Sequence, residues 1–267
     1  MNFANIITLT TDFGLQDPYV GQMKGAILKR NITARIVDLT HAVPTHDILN
    51  GAVTIRTSYR YFPSGTIHLI VVDPGVGSQR DILAATGDDH LFIAPDNGLL
   101  TLLAMDNKIE AVHRVENSSL FPAEVSGTFH GRDIMAPVAA ALAGGLPLDK
   151  VGPETTFTSC VQLELPVPDI DDRHVIGRML HIDRFGNIKT TITTNHLSRF
   201  QPSSFDGIQI GDHTIDAISS TYAKQPEGKL VAVIDSSGYL EIAVNRGNAA
   251  DLTGCKPGDP IVVRITE

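Results

Sequence analysis

Short apolar runs, rich in β-branched residues and bounded by turn residues, recur along the first half of the chain. Runs of this length and composition predict buried strands. The run from Leu69 to Val72 contains no polar position, which is typical of a strand covered on both faces in a parallel sheet. The predicted strands are Ile6 to Thr11, Ala34 to Thr40, Leu69 to Val72, Ile82 to Thr86 and Leu91 to Ala94.

Helical spacing fills the intervals between these runs. Apolar residues at Val20, Met23 and Ile27 recur with the period of an amphipathic helix. The predicted helices are Val20 to Lys29, Asp47 to Tyr61, Leu99 to Met105 and Ile134 to Ala143, the last with Pro137 in its first turn. Alternation of strands and helices predicts an α/β domain, with a parallel or mixed sheet covered by helices, over residues 1–155.

The pattern changes beyond residue 150. Residues 156–172 are rich in proline, threonine and acidic side chains, and we interpret them as a linker. Residues 173–267 alternate short apolar segments with turns, which predicts a smaller all-β barrel or sandwich. The predicted strands there are His174 to Ile182, Ile188 to Ile192, Ile208 to Ile210, Lys229 to Ile234, Tyr239 to Val244 and Ile261 to Ile265.

Composition narrows the class of protein. The 267 residues carry a net charge of -9, with no basic run, which argues against nucleic acid or an anionic membrane as the main partner. Cys160 and Cys255 are the two cysteines, too few and too far apart for a disulfide framework or a zinc knuckle. The chain begins with no secretory signal and has no bilayer-length apolar stretch. We therefore expect a cytoplasmic protein.

Carboxylates follow several predicted strands. Asp12 ends the first strand, Asp73 the third, and Asp96 with Asn97 another, while Arg80 lies on the same loop as Asp73. Ligands of open α/β sheets bind at such strand ends. Two simpler interpretations remain open: Asp73-Pro-Gly is also good turn chemistry, and Arg80 has other acids near it, such as Asp81.

His130 precedes a predicted helix. The positive end of the helix dipole disfavours imidazolium there, so we expect a neutral histidine near pH 7, as a general base requires. The alternative is a histidine that only caps the helix. No dinucleotide loop, Walker A segment or G-x-S-x-G elbow is present, and the acidic and histidine residues match no strong metal-site spacing.

Six segments in order give a more specific signal. They are Thr10-Thr-Asp-Phe-Gly14, Val72-Asp-Pro-Gly-Val-Gly77, Ile93-Ala-Pro-Asp-Asn-Gly98, Thr128-Phe-His-Gly-Arg-Asp133, Ile182-Asp-Arg-Phe-Gly-Asn-Ile188 and Ser237-Gly-Tyr-Leu-Glu-Ile-Ala243. With them, nearly the whole chain resembles the S-adenosyl-L-methionine hydroxide adenosyltransferases, the adenosine-forming S-adenosyl-L-methionine hydrolases. These are relatives of the S-adenosylmethionine-dependent fluorinases and chlorinases.

The resemblance implies a Rossmann-like N-terminal α/β domain and a smaller C-terminal β-barrel. It also implies a homotrimer, with substrate between the N-terminal domain of one subunit and the C-terminal domain of the next. No cofactor or metal is expected, since S-adenosyl-L-methionine is itself the substrate.

The resemblance also assigns residues. The set that handles the attacking water corresponds to Asp73, Arg80 and His130. The ribose-binding aspartate corresponds to Asp12, and Asp183, Phe185 and Asn187 correspond to residues around the methionine and adenine groups. The remaining candidate substrate-binding residues lie in or near the same segments: Asp17, Asp96, Asn97, Phe129, Ser237, Glu241 and Asn245.

Other functions compete with hydrolysis. Halogenases have a tyrosine and a serine where this chain has His130 and Gly131, and a different residue at Asp73, which argues against halide as the nucleophile. A metal-dependent phosphatase or nucleosidase would use the same carboxylates. A sensor of S-adenosylmethionine or adenosine would use the same strand ends without catalysis.

Overall fold

The computed structural model describes residues 3–201 and 204–266. The chain forms two compact units, Met1–Leu163 and Glu164–Glu267. The first unit is a mixed α/β structure, and the second is built on one strongly curved sheet.

A seven-stranded mixed sheet forms the first unit. Its strands are β1 Ile6–Thr11, β2 Arg35–Thr40, β3 Ile67–Val71, β4 Ile82–Gly87, β5 His90–Pro95, β6 Ala111–Arg114 and β7 Glu154–Thr155. The order across the sheet is β2-β1-β3-β5-β4-β6-β7. The pairs among β2, β1, β3 and β5 are parallel, whereas β4, β6 and β7 pair antiparallel with their neighbours.

Helices cover both faces of this sheet. Alternate residues of β3 enter different cores, because successive side chains of a strand point to opposite faces. Leu69 packs in one core with Met23, whereas Ile70 packs in the other with Ile55. This double burial explains why the central run lacks polar residues. The helices of the first unit are α1 Tyr19–Arg30, α2 Ile48–Ser58, α3 Thr101–Met105 and α4 Ala136–Ala143.

Helix α1 is one residue longer at each end than predicted, and larger differences occur at three other places. The helix predicted over Asp47 to Tyr61 ends at Ser58 and continues as a 3₁₀ turn, and α3 begins two residues later than predicted. Residues 131–135 form a π-helical turn ahead of α4, which no periodicity indicated. Pro137 lies in the first turn of α4, as predicted, directly after the π-helical turn.

Strands β6 and β7 were absent from the prediction. The four residues of β6 include a histidine and an arginine, and β7 has only two residues, so neither gives an apolar run. Both are held by pairing to a neighbouring strand, which a local pattern does not reveal.

The second unit contains a nine-stranded sheet that is nearly closed. All six predicted strands are present, and two short helices, α5 Thr194–Leu197 and α6 Ala249–Thr253, correct the all-β description. The strands are β8 Asp169–Ile170, β9 His174–Ile182, β10 Ile188–Thr193, β11 Phe205–Ile210, β12 His213–Ile215, β13 Ile218–Ser219, β14 Leu230–Ile234, β15 Tyr239–Val244 and β16 Pro260–Ile265.

These strands follow the order β12-β11-β16-β9-β10-β15-β14-β13, with β8 added to β9. Strands β12 and β14 also touch, which brings the two ends of the sheet together. Isoleucine and valine side chains from its inner face form a separate core. Strand β8 lies inside the segment predicted as a linker. No helix within the described residues is both long and apolar enough to cross a membrane.

Candidate active site

Asp73 and Arg80 form a buried ion pair at the end of β3. The chain leaves the sheet after Val71, turns through Asp73-Pro-Gly, and returns to β4 just after Arg80. Arg80 Nε donates to both carboxylate oxygens, at 2.8 and 2.9 Å, and its Nη2 donates to Oδ2. Both side chains are less than a tenth exposed. Asp81 pairs instead with Arg114, which removes the alternative partner.

His130 completes a three-residue cluster. Arg80 Nη2 lies 3.1 Å from His130 Nδ1, across 50 residues of sequence. His130 stands at the start of the π-helical turn and makes no side-chain capping bond, so it does not serve as a helix cap. The structure thus brings Asp73, Arg80 and His130 together, with Arg80 hydrogen-bonded to both of the others.

The contact with Arg80 fixes the state of His130. A guanidinium has only donors, so Nδ1 must accept this hydrogen bond and the proton of a neutral imidazole resides on Nε2. Burial lowers the pKa of His130 from its ordinary value of 6.5, and the charge of Arg80 lowers it further. Asp73 and Asp133 oppose that shift. The direction agrees with the neutral histidine expected from sequence, but burial and Arg80 cause it.

Asp12 lies on the loop that follows β1. Its Oδ2 accepts a hydrogen bond from the backbone N–H of His46 at 2.9 Å, and its Oδ1 has no such partner among the described residues. The ring of Phe13 packs edge-on against Phe129, with centroids 5.7 Å apart, and Tyr19 packs against both. This aromatic contact links the loop of Asp12 to the loop that precedes His130.

Of the other predicted residues of the first unit, Asn97 and Asp96 make hydrogen bonds to the backbone, whereas Asp17 does not. Asn97 Nδ2 donates to the carbonyl of Val72 at 2.8 Å, which braces the backbone next to Asp73. Asp96 Oδ1 accepts from the N–H of Val161, and burial raises the pKa of its carboxyl. Asp17 is exposed and makes no hydrogen bond or ion pair within the described part of the chain.

In the second unit, Asp183, Phe185 and Asn187 form one tight turn between β9 and β10. Asp183 Oδ1 accepts from the N–H groups of Phe185 and Asn187, at 2.8 and 2.9 Å, and Oδ2 accepts from the Asn187 amide. The ring of Phe185 is 75% exposed, so the turn holds a large apolar side chain out from the surface.

This turn lines a cavity of about 570 Å³ together with Tyr222 and Asn245. The hydroxyl of Tyr222 donates to Glu241 at 2.7 Å, and Glu241 is only 6% exposed. Burial raises the pKa of both groups. The structure therefore groups five of the predicted residues of this unit, with Glu241 acting through Tyr222. Ser237 lies in a separate turn, where its N–H donates to Asp235.

Known proteins match most of the chain. Residues 7–152 match the model of the SAM hydroxide adenosyltransferase N-terminal domain, and residues 177–262 match that of its C-terminal domain. The chain belongs to the SAM hydroxide adenosyltransferase family.

Relatives agree with this assignment. The protein named (R)-S-adenosyl-L-methionine hydrolase from Salinispora tropica is 36% identical over 96% of this chain and 97% of its own. A fluorinase from Nocardia brasiliensis is 29% identical over 97% of both chains. A crystal structure of an uncharacterized conserved protein from Thermotoga maritima superposes with a TM-score of 0.89, at 35% identity, over 96% of this chain and 99% of that one.

Sequence reasoning missed several residues of this SAM hydroxide adenosyltransferase site. Tyr222 stands alone in a polar stretch, so no pattern marked it, although it lines the cavity of the second unit. Asp133 ends the segment from Thr128 that contains His130, but it was not predicted as a site residue. It accepts bonds from Arg132 and from the backbone of Ser126. Among the described residues, no three histidine, cysteine or acidic side chains are placed to hold a metal.

Proposed function

We propose that this protein hydrolyses S-adenosyl-L-methionine to adenosine and L-methionine. The observation that carries the proposal is the Asp73–Arg80–His130 cluster, in a chain that over 96% of its length is similar to a protein named (R)-S-adenosyl-L-methionine hydrolase. A buried carboxylate–guanidinium pair beside a half-buried imidazole is suited to holding one water molecule and its proton.

The reaction balances with water alone. The oxygen of water forms a bond to the ribose C5′, the bond from C5′ to sulfur breaks, and its electron pair stays on sulfur as the thioether of methionine. The sulfonium charge makes that leaving group neutral, so no acid is needed on the leaving side. One proton is released from the attacking water.

The geometry favours different roles for the two candidate proton acceptors. His130 Nδ1 is engaged by Arg80, so its Nε2–H is a donor that orients the water oxygen. The Asp73 carboxylate, with lone pairs beyond those used by Arg80, receives the proton. A positioned acid or base contributes on the order of 10²–10⁴ to rate.

We assign Asp12 Oδ1 to a ribose hydroxyl, because Asp12 Oδ2 already accepts from the His46 N–H. In the second unit, the exposed face of Phe185 suits adenine, while Asp183 and Asn187 hold its turn in shape. Glu241 and Asn245 belong to the same recognition surface, and Ser237 closes the adjoining loop. Phe129, Asp17, Asp96 and Asn97 complete or brace the first unit's part of the site.

The proposal extends to the assembly. We place the protein in the cytoplasm as a homotrimer, with each substrate held by residues of two subunits and no cofactor or metal required. Its domains are a Rossmann-like α/β domain over residues 1–155 and a β-barrel over residues 173–267. Sedimentation that gives a single trimeric species, with and without substrate, is the expected result.

One assay separates the competing functions. The protein is incubated with S-adenosyl-L-methionine, and the products are resolved by chromatography. Equal amounts of adenosine and methionine are expected, unchanged by chloride or by EDTA. A 5′-chlorinated nucleoside would make the protein a halogenase. Loss of activity in EDTA would indicate a metal-dependent enzyme, and intact substrate would indicate a sensor.

A further inference from the structure

The loop that carries Arg80 and the loop that leads to His130 touch at two glycines. Gly77 has a φ of +79°, and a Cβ built on it would lie 2.2 Å from the carbonyl oxygen of Gly127. Real Cβ atoms essentially never approach another atom closer than 3.0 Å. The two backbones are therefore in direct contact, at a distance that leaves no room for a side chain at Gly77.

On each loop, a residue next to the glycine in sequence is hydrogen-bonded to Arg80 or to the turn that begins beside His130. On the first loop, the N–H of Arg80 donates to Ser78 Oγ at 3.3 Å, and the N–H of Ser78 donates to the carbonyl of Gly75. On the second loop, the N–H of Ser126 donates to Asp133 Oδ2 at 2.9 Å, within the π-helical turn that begins beside His130. Because Ser78 follows Gly77 and Ser126 precedes Gly127, we infer that a change in the spacing of the two glycines shifts Arg80 and the turn of His130.

We propose that the backbone contact between Gly77 and Gly127 is a positioning device that sets the separation of Arg80 and His130. The proposal rests on the proposed hydrolysis for its kinetic consequence. Gly77 is a positioning residue, because it acts through the loops of Arg80 and His130 rather than on the reacting atoms. Its absence of a side chain keeps the Arg80–His130 hydrogen bond at 3.1 Å.

The chain offers a matched control at the other side of the contact. A Cβ on Gly127 meets no atom within 4 Å, so Gly127→Ala adds the same methyl group without parting the loops. Gly77→Asn separates two effects at Gly77, because asparagine tolerates positive φ better than alanine but still places a Cβ against the Gly127 carbonyl. Gly77 lies on an exposed loop, so the clash is relieved by loop movement into solvent.

The test measures kcat and KM for adenosine formation, and the pKa of His130 by NMR of protein labelled with ¹³C-histidine. Gly77→Ala and Gly77→Asn are expected to lower kcat on the order of 100-fold with little change in KM, since a misplacement of about 1 Å has that effect. The pKa of His130, which Arg80, Asp73 and Asp133 face, should rise in both variants as Arg80 withdraws. Gly127→Ala should match the unmodified protein in every value.

Several results would overturn the proposal. One is an unchanged kcat and His130 pKa in both Gly77 variants. Another is full activity in Gly77→Asn, which would mean that glycine is needed at this position only for its positive φ and not for the close approach to Gly127. Equal losses in Gly127→Ala would also contradict it. If the unmodified protein forms no adenosine, the proposed hydrolysis fails, while the His130 pKa still decides whether the glycine contact sets the Arg80 separation.

Discussion

The two regions proposed to meet substrate are built in opposite ways. In the first unit, the side chains of Asp73 and Arg80 are withdrawn from solvent, and Arg80 is also bonded to the half-buried His130, 50 residues further along the chain. In the second unit, Asp183 and Asn187 satisfy one another within a five-residue turn, and Phe185 stands 75% exposed above them. The first region is organised around charge, and the second presents an apolar face.

On the basis of this difference, we assign the chemical step to the first region and recognition of the substrate to the second. A buried ion pair with a fixed histidine tautomer is costly to rearrange, so it is suited to a task that requires one geometry. An exposed ring on a self-contained turn gains its burial only when a ligand covers it. We therefore expect substitutions in the first region to act on kcat and substitutions in the second to act on KM.

The largest expected effect belongs to His130. His130→Ala should lower kcat by about 10²–10⁴ with little change in KM, because the water loses its orienting group. His130→Gln should retain more activity than His130→Ala, since an amide can both accept from Arg80 and donate to water. Steady-state kinetics compares the two. Equal loss in both variants would mean that the imidazole itself takes the proton.

Phe185→Ala should raise KM about ten-fold and leave kcat unchanged, since stacking on a nucleobase contributes on the order of 1–3 kcal/mol. Tyr61→Ala is the matched control, because Tyr61 is similarly exposed, at 72%, and belongs to no proposed site. Neither change should alter the thermal unfolding temperature. A lowered kcat with unchanged KM in Phe185→Ala would contradict the assignment of substrate recognition to the second region.

The pH dependence of kcat/KM tests the electrostatic part of the first region. Protonated His130 cannot accept from Arg80, so activity falls as pH drops through its pKa. Since burial and Arg80 hold that pKa below 6.5, activity should be flat from pH 7 to 8 and fall by less than about ten-fold between pH 7.5 and 5.5. An acid limb at or above pH 6.5 would contradict this account.

The smallest effect is expected for Tyr222→Phe. The variant loses one hydrogen bond to the buried Glu241, which should destabilise the protein by about 1 kcal/mol at pH 7. Because burial raises the pKa of Glu241, the carboxyl is protonated at pH 4 and the loss there should be smaller. Thermal unfolding at both pH values measures the difference. A larger loss at pH 4 would contradict a hydrogen bond from the neutral Tyr222 hydroxyl to a charged Glu241 carboxylate.

The sequence alone predicted those elements whose structure is determined by the residues within one short segment. The run Leu69 to Val72 predicted a doubly buried strand because every position faces a core, and β3 runs from Ile67 to Val71. The sequence did not decide which acid pairs with Arg80. Asp81 is its neighbour along the chain, but in the structure Asp73 is its partner and Asp81 pairs with Arg114. Such pairings depend on where two loops return to the sheet.

The missed features share one cause. The π-helical turn after His130, the short polar strand β6 and the contact of Tyr222 with Glu241 all arise from tertiary packing. A window of sequence carries none of this information. The exposed Phe185 turn was recognised through its family resemblance, and its Phe-Gly chemistry alone predicted only a hairpin.

Hydrolysis in water enriched with ¹⁸O tests the central claim most directly. If the first region aims water at the ribose C5′, adenosine should carry one ¹⁸O atom in its 5′-hydroxyl, and methionine should carry none. Mass spectrometry of the separated products gives the answer. Unlabelled adenosine, or label in methionine, would contradict attack of water at that carbon.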